Sequence, residues 1–144
     1  LPIDVEPRAD VVVLDTIGEL AQLYQVATAV FVGGSLMNQG GHNILEPAIF
    51  GKPIVFGPHM QNFAEIADAF VTNGAAMQVG SERELDEALL LLMTDSVRQA
   101  RLGAAARALV EANRGAKNKT LAVVAELLPP GGAGGVVRPF RLVH

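Results

Sequence analysis

The sequence predicts an α/β fold, a parallel β-sheet flanked by helices. Short apolar runs rich in β-branched residues alternate with segments of helical periodicity, which is typical of parallel strands joined by right-handed helical crossovers. Half of the 144 residues are hydrophobic, which is enough for the buried core of one ordinary domain. Polar and glycine-rich stretches follow three of the runs, at the strand ends where such sheets bind ligands.

Four apolar runs predict the strands, at residues 11–14, 29–32, 53–56 and 75–79. The first run is VVVL and ends at Asp15-Thr16, so it has the composition of a buried parallel strand that meets a loop. The second and third runs, AVFV and PIVF, have the same character, and the fourth is weaker. The order of strands and helices therefore predicts one sheet with crossovers.

Helices are predicted at residues 16–24, 43–50, 62–72, 97–113 and 120–128, with one more after Ser81. Thr16 and Ser81 each precede a glutamate by three residues, which is the spacing of a capping box. Asn73-Gly74 is a typical helix stop. The helix after Ser81 is predicted to turn one apolar face to the core, made of Leu85, Ala88, Leu89, Leu92 and Met93.

Composition excludes several classes of function. The net charge is −4 and no basic block is present, so no nucleic-acid partner is predicted. The chain has no cysteine and no acidic cluster near its histidines, so no disulfide, metal site or cofactor is predicted. No stretch reads as a transmembrane helix or a signal peptide, and a soluble chain is expected. Residues 1–128 are predicted to form one domain, and the Gly/Pro-rich residues 129–144 a disordered tail.

The stretch at residues 33–47, GGSLMNQGGHNILEP, has the strongest sign of a ligand site. Its glycines let the backbone approach a ligand, and Gly40 and Gly41 directly precede a predicted helix whose free N–H groups suit a phosphate or a carboxylate. His42, at the same place, is a candidate donor to that anion. The stretch has neither the GxGxxG spacing of a dinucleotide site nor the Gly-Lys-Ser/Thr of a Walker A loop.

Asn43 and Glu46 have two interpretations, and their spacing leaves both open. As N-cap and N3 residues they form a capping pair. Alternatively, Glu46 accepts hydrogen bonds from the hydroxyls of a ribose while Asn43 shapes the loop. For Asn62 and Glu65, which have the same spacing without preceding glycines, the capping interpretation is favoured. No nucleophile with a base and an orienting group is recognisable, so the chain is expected to hold a substrate and not to carry a whole reaction.

Four motifs follow one another along the chain: DTIGEL at residues 15–20, FVGGSL at 31–36, GGHNILEP at 40–47, and GPH with NF at 57–59 and 62–63. Together they resemble the lipid A Kdo transferases of Gram-negative lipopolysaccharide synthesis, where Kdo is 3-deoxy-D-manno-octulosonic acid. The resemblance extends over about residues 11–128. GGHNILEP at this distance from DTIGEL is specific to that family.

The resemblance implies the GT-B architecture, in which two Rossmann-like domains face each other across a cleft, with this chain as the C-terminal, donor-binding domain. It implies an enzyme that transfers Kdo from CMP-Kdo to a lipid A precursor at the cytoplasmic face of the inner membrane. Glu46 is then placed near the ribose, and Gly41 and His42 near the phosphate or the Kdo carboxylate. The substrate-binding residues that it implies are Ile17, Gly18, Glu19, Ser35, Gly41, His42, Asn43, Ile44, Leu45 and Glu46.

The resemblance also implies what this chain lacks. The acidic catalytic base, the membrane anchor and the acceptor site belong to an N-terminal domain of the family, so no catalytic residue is assigned. A Pro-Arg element of the donor site is also missing, and we expect the chain alone to bind CMP weakly without catalysing transfer. Two alternatives stay open: another GT-B enzyme that uses a UDP-sugar, as a transferase or an epimerase, and a non-catalytic nucleotide-binding module.

Overall fold

The structure, a computed structural model, describes residues 10–127. They divide into two compact units, of which the first ends at Val110 and the second begins at Glu111. The first unit contains a parallel sheet and its helices, and the described part of the second is the end of the last helix. The predicted tail, residues 129–144, lies outside the described residues.

The sheet of the first unit has three parallel strands, β1 (Val30–Phe31), β2 (Ile54–Phe56) and β3 (Met77–Gln78), in the spatial order β1-β2-β3. Val30 is paired with Ile54 and Val55 with Met77. Helical segments connect consecutive strands, as parallel pairing requires. The α/β class and three of the four predicted strands are therefore confirmed, although each strand is shorter than its apolar run.

The first predicted strand, residues 11–14, is wrong. This segment has no regular secondary structure, and Val11 and Val13 are 80% and 83% exposed. A β-branched run favours extended backbone, but a strand is stabilised only when a neighbour pairs with it and its side chains are covered. Within residues 10–127 no strand pairs with this segment, so its apolar composition alone does not form one.

The helices of the described chain cover both faces of the sheet. The helices α2 (Leu45–Ile49) and α3 (Ala64–Thr72) pack with Ile54 and Phe56, whereas α4 (Glu82–Thr94) packs with Val55, because successive side chains of a strand point to opposite faces. β2 is the central strand and is fully buried. The helices are α1 (Leu20–Val26), α2 (Leu45–Ile49), α3 (Ala64–Thr72, after a 3₁₀ turn at Gln61–Phe63), α4 (Glu82–Thr94) and α5 (Ser96–Leu127).

The predicted start of α4 is confirmed in its main contact. The Ser81 hydroxyl accepts a hydrogen bond from the Glu84 amide at 3.2 Å, while the Glu84 carboxylate accepts from the Gly80 amide at 2.5 Å. The predicted apolar face is correct for four residues but wrong for Met93, which is 70% exposed. Met93 follows the fully buried Leu92, and a helix turns by about a quarter of a circle between consecutive residues.

The two helices predicted at residues 97–113 and 120–128 form one helix, α5. The segment between them contains alanine, arginine and lysine, which favour helix, and no proline. A single glycine, Gly115, lowers helix stability by about 1 kcal/mol and does not end a helix by itself. The prediction of a break was therefore wrong.

Candidate functional site

Two loops at the carboxyl ends of neighbouring parallel strands are joined to each other. We call residues 33–44 the glycine-rich loop, which follows β1, and residues 57–63 the second loop, which follows β2. The His59 amide of the second loop donates to the Ser35 carbonyl at 2.8 Å. Because parallel strands end at the same edge of a sheet, the predicted convergence of three loops is confirmed for these two. The third predicted loop, residues 15–19, does not follow a strand in the structure.

Ser35 lies inside the junction between the two loops. Among residues 10–127 it is the buried polar residue of the core, and it has no exposed surface. Its hydroxyl donates to the Val32 carbonyl at 2.5 Å and accepts from the Gly57 amide at 2.8 Å. The family resemblance assigned Ser35 to substrate binding. In the structure its hydroxyl is instead hydrogen-bonded to two backbone groups of the protein.

Gly40 and Gly41 are buried where the second loop packs against them. Both have positive φ angles, +83° and +73°. A Cβ atom would overlap the Asn62 side chain at Gly40 and the Met60 sulfur at Gly41. The backbone N–H of Asn62 donates to the Gly40 carbonyl at 3.1 Å. These glycines therefore allow a neighbouring loop of the protein to pack closely, whereas they were expected to allow a ligand to approach.

Gly33 and His42 are exposed residues of the glycine-rich loop, and Gly34 is half-buried. No atom lies within 4 Å of the position that a Cβ would take at Gly33, while at Gly34 the His42 ring lies 3.4 Å from it. The His42 Nδ1 atom is 2.9 Å from the Gly33 carbonyl oxygen. A carbonyl only accepts hydrogen bonds, so Nδ1 carries the proton and Nε2 is the nitrogen left to meet a ligand.

The predicted capping pair of Asn43 and Glu46 does not form. α2 begins at Leu45, and the Asn43 side chain accepts from the Leu45 amide at 2.9 Å, two residues ahead, instead of from Glu46. The Glu46 side chain is exposed, and within residues 10–127 no hydrogen bond or ion pair engages it. The second interpretation, in which its carboxylate accepts hydrogen bonds from a ligand, remains as a prediction.

Ile44 and Leu45 both contribute to the core. Ile44 has no exposed surface, and Leu45 is half-buried against the same cluster. Ile44 therefore offers a ligand only its backbone groups, whereas part of the Leu45 side chain is exposed. α2 has five residues, fewer than the eight predicted, so its dipole is a weaker source of anion affinity than the sequence argument assumed.

Ile17, Gly18 and Glu19 form a bend before α1. Ile17 is fully exposed and Gly18 has a φ of +93° with open space around it. The predicted capping box here is wrong, because the Thr16 hydroxyl donates to the Glu19 carboxylate at 2.5 Å and the helix begins only at Leu20. The bend leaves exposed backbone, as a nucleotide-contacting segment would need.

Tyr24 of α1 is a neighbour of Glu46 that sequence reasoning missed. Its ring packs against Phe50 with the centroids 6.1 Å apart, and Lys52 donates to the Gln25 carbonyl at 2.9 Å, so α1 is held beside α2. Burial, and secondly the negative charge of Glu46, raise the pKa of the Tyr24 phenol above its ordinary value of 10.0. One signal was available: Tyr24 is the only tyrosine of the chain.

We expect Glu46→Gln to lower the pKa of Tyr24 without returning it to 10.0, because burial, the larger cause, remains. The folded state holds the phenol proton more tightly than the unfolded state. The stabilisation from Tyr24 is thus complete below the unfolded pKa and is lost as the pH rises through the folded pKa. With one tyrosine and no tryptophan, ultraviolet titration reports this group directly. An identical titration midpoint in both proteins would contradict the placement of Glu46 beside Tyr24.

Other features of the described residues lie away from these loops. A cavity of about 310 Å³ flanks the start of β3, at the opposite edge of the sheet from the loops, and is lined by Gly74, Met77, Arg98, Arg101 and Leu102. Across residues 10–127, histidine and acidic side chains do not gather in groups of three that could hold a metal ion. No helix within this range has the length and apolarity needed to cross a bilayer.

Comparison with known proteins identifies relatives of this sequence. The profile of the family described as "Glycosyl transferases group 1" matches residues 4–109. The 3-deoxy-D-manno-octulosonic acid transferase of Bordetella pertussis is 40% identical over 116 residues, which are 80% of this chain and 27% of that protein. The enzyme of the same name from Haemophilus influenzae is 37% identical over 124 residues, which are 85% of this chain and 28% of that protein.

A solved structure is similar as well. The crystal structure of the C-terminal CMP-Kdo binding domain of WaaA from Acinetobacter baumannii superposes with a TM-score of 0.64 and 34% sequence identity, over 67% of this chain and 51% of that one. The predicted resemblance to the Kdo transferases is confirmed by these relatives. The chain spans just over a quarter of the length of the two curated relatives.

Proposed function

Because this chain belongs to the glycosyl transferases group 1 family, we propose that it is the donor-binding part of a glycosyltransferase that transfers Kdo from CMP-Kdo to a lipid A precursor. The single observation that carries the proposal is the exposed edge formed by the glycine-rich loop and the first turn of α2. There His42 and Glu46 are both exposed, each with hydrogen-bonding capacity that the described residues leave unused. The similarity to a solved CMP-Kdo binding domain supports this choice of ligand.

The proposed role of Glu46 is to accept hydrogen bonds from the ribose hydroxyls of the donor. An ionised carboxylate accepts hydrogen bonds from two neighbouring hydroxyls, and hydrogen bonds to a charged group contribute about 1.5–3 kcal/mol. The side chain is in the first turn of α2 and is not engaged in a cap, so binding does not have to break an existing contact.

The proposed role of His42 is to meet the anionic part of the donor. Its Nδ1–H is held by the Gly33 carbonyl, so protonation adds the second proton at Nε2, which then donates to a phosphate or a carboxylate. A positively charged ring at this place stabilises the negative charge that develops on the departing CMP. The backbone of residues 43–46 and the bend at Ile17, Gly18 and Glu19 complete the proposed donor site.

The proposed division of labour assigns orientation of the donor and stabilisation of the leaving group to this chain. Transfer also needs a base that removes the proton of the acceptor hydroxyl. No candidate for that base is proposed among the present residues, and the acceptor and the location at the cytoplasmic face of the inner membrane are proposed for the full-length enzyme. We expect this chain alone to bind CMP without transferring Kdo.

Replacing Glu46 by alanine is expected to weaken CMP binding by about tenfold to a hundredfold, since it removes charge-assisted hydrogen bonds. Isothermal titration calorimetry with CMP measures this directly. The matched control is Glu65→Ala, because Glu65 has the same sequence spacing, is exposed and lies in the first turn of α3. That variant should bind CMP as tightly as the parent chain.

Equal affinities of the Glu46 and Glu65 variants would argue against the proposed ribose contact. A competition between CMP and UMP tests the nucleotide itself. Preference for CMP supports a Kdo donor. Preference for UMP would contradict it and favour an enzyme that uses a UDP-sugar. If neither nucleotide binds, the donor-binding proposal fails for this chain.

A further inference from the structure

We infer that Ser35 is a positioning residue that sets the shape of the glycine-rich loop from inside the protein, an inference that rests on the proposed donor-binding function. Ser35 has no exposed surface, so it does not touch a ligand through its side chain. Its hydroxyl is nevertheless the point where both loops meet: it donates to the Val32 carbonyl and accepts from the Gly57 amide. Its own carbonyl accepts from the His59 amide.

A short series of hydrogen bonds connects Ser35 to His42. The hydrogen bond from Ser35 back to Val32 closes a tight turn whose inner residues are Gly33 and Gly34. The carbonyls of that turn are the acceptors for the other side of the loop: Gly33 for the His42 ring and Gly34 for the Gly41 amide, at 2.9 and 3.1 Å. The turn that Ser35 closes therefore aims the carbonyl that selects the tautomer of His42.

The second loop limits how the turn can relax. Gly57 packs so closely on Ser35 that a Cβ atom there would overlap the Ser35 carbonyl. Farther along the loops, the Gln61 side chain donates to the Asn38 side chain at 2.6 Å. A loop that is already held in its binding shape loses less conformational freedom when the ligand arrives, so its affinity is higher. Ser35 supplies this preorganisation without contacting the donor.

The test compares Ser35→Ala with Ser81→Ala in the full chain. Ser35→Ala leaves the buried Val32 carbonyl and Gly57 amide without the hydroxyl that joins them, so the turn at Gly33 and Gly34 is no longer fixed before the ligand arrives. We expect CMP to bind about tenfold more weakly in calorimetry, a difference of about 1.4 kcal/mol in binding free energy. Ser81→Ala removes the cap of α4, far from the loops along the chain, and lowers the stability of the fold. It should leave CMP affinity unchanged.

A second measurement follows the His42 ring directly, without any nucleotide. Nitrogen-15 NMR of the imidazole should show the Nδ1-protonated tautomer in the parent chain and in Ser81→Ala, and a mixture of tautomers in Ser35→Ala. A merely structural loss of stability does not produce this change. Unchanged CMP affinity and tautomer in Ser35→Ala, or equal weakening by Ser81→Ala, would overturn the inference.

The two proposals can fail separately. If the parent chain binds no CMP, the donor-binding function fails, and the tautomer of His42 alone decides the role of Ser35. If Ser35→Ala does not fold, Gln61→Ala replaces it, because this exposed residue links the same loops at their far end. That variant should weaken CMP binding by about threefold, the loss of one exposed hydrogen bond, and an unchanged affinity would overturn the inference.

Discussion

Substituting alanine for Gly57 is expected to destabilise the first unit by about 3 kcal/mol or more, at the upper end of what overpacking costs. The added Cβ would overlap the backbone of Ser35, which is buried, and of Leu36, which is half-buried. Backbone atoms in that position cannot rotate away, so the two loops must separate. Chemical denaturation monitored by circular dichroism measures the change in unfolding free energy.

The control for this substitution is Gly115→Ala. A Cβ at Gly115 has no atom within 4 Å, and the residue lies in the helix α5. Alanine is favoured over glycine inside a helix by about 1 kcal/mol, so this variant should be as stable as the parent or more stable. If Gly57→Ala were as well tolerated as Gly115→Ala, the close packing of the two loops would be refuted.

Replacing Phe56 by alanine is expected to lower the unfolding free energy by about 3–5 kcal/mol. Phe56 has no exposed surface and is at the end of the central strand, where it packs in the cluster that contains Ile44 and Phe70. Removing its ring leaves a cavity in the cluster that contains Ile44, the last residue of the glycine-rich loop. Because small domains are stable by about 5–15 kcal/mol, a loss of this size changes the folded population measurably.

Phe31 on β1 provides the matched comparison for Phe56. It is also a strand phenylalanine, but it lies on the outer strand of the described sheet and is 36% exposed. Its replacement by alanine should cost about 1 kcal/mol, the scale of strand preference alone. Thermal unfolding of both variants separates the two cases, and equal losses would mean that β2 is not the central, doubly covered strand.

Hydrophobic periodicity and capping residues predicted the fold well where local and tertiary preferences agree. The runs at residues 29–32 and 53–56 became β1 and β2, and Ser81 capped α4 as its spacing required. These patterns failed where a strand would have needed a partner strand from elsewhere in the chain. Residues 11–14 have the composition of a strand but no neighbour among the described residues, so composition alone misled.

The candidate site was predicted in its location but not in its construction. The glycine-rich stretch and the polar loop after β2 were correctly expected at one edge of the sheet. Gly40 and Gly41 were expected to let a ligand approach, whereas in the structure the side chains of Asn62 and Met60 occupy that space. Spacing also left the role of Glu46 open, and only the start of α2 at Leu45 removed the capping interpretation.

The amino-acid sequence by itself determined the α/β class, the positions of the three observed strands along the chain and the motifs that resemble the Kdo transferases, since these depend on local composition and on residues close in the chain. Only the tertiary structure decided that Ser35 is internal, that Tyr24 lies beside Glu46, and that the second loop packs on the glycines of the first. The reason is that these contacts join residues about twenty positions apart, whose proximity comes from the parallel crossover and not from any local pattern.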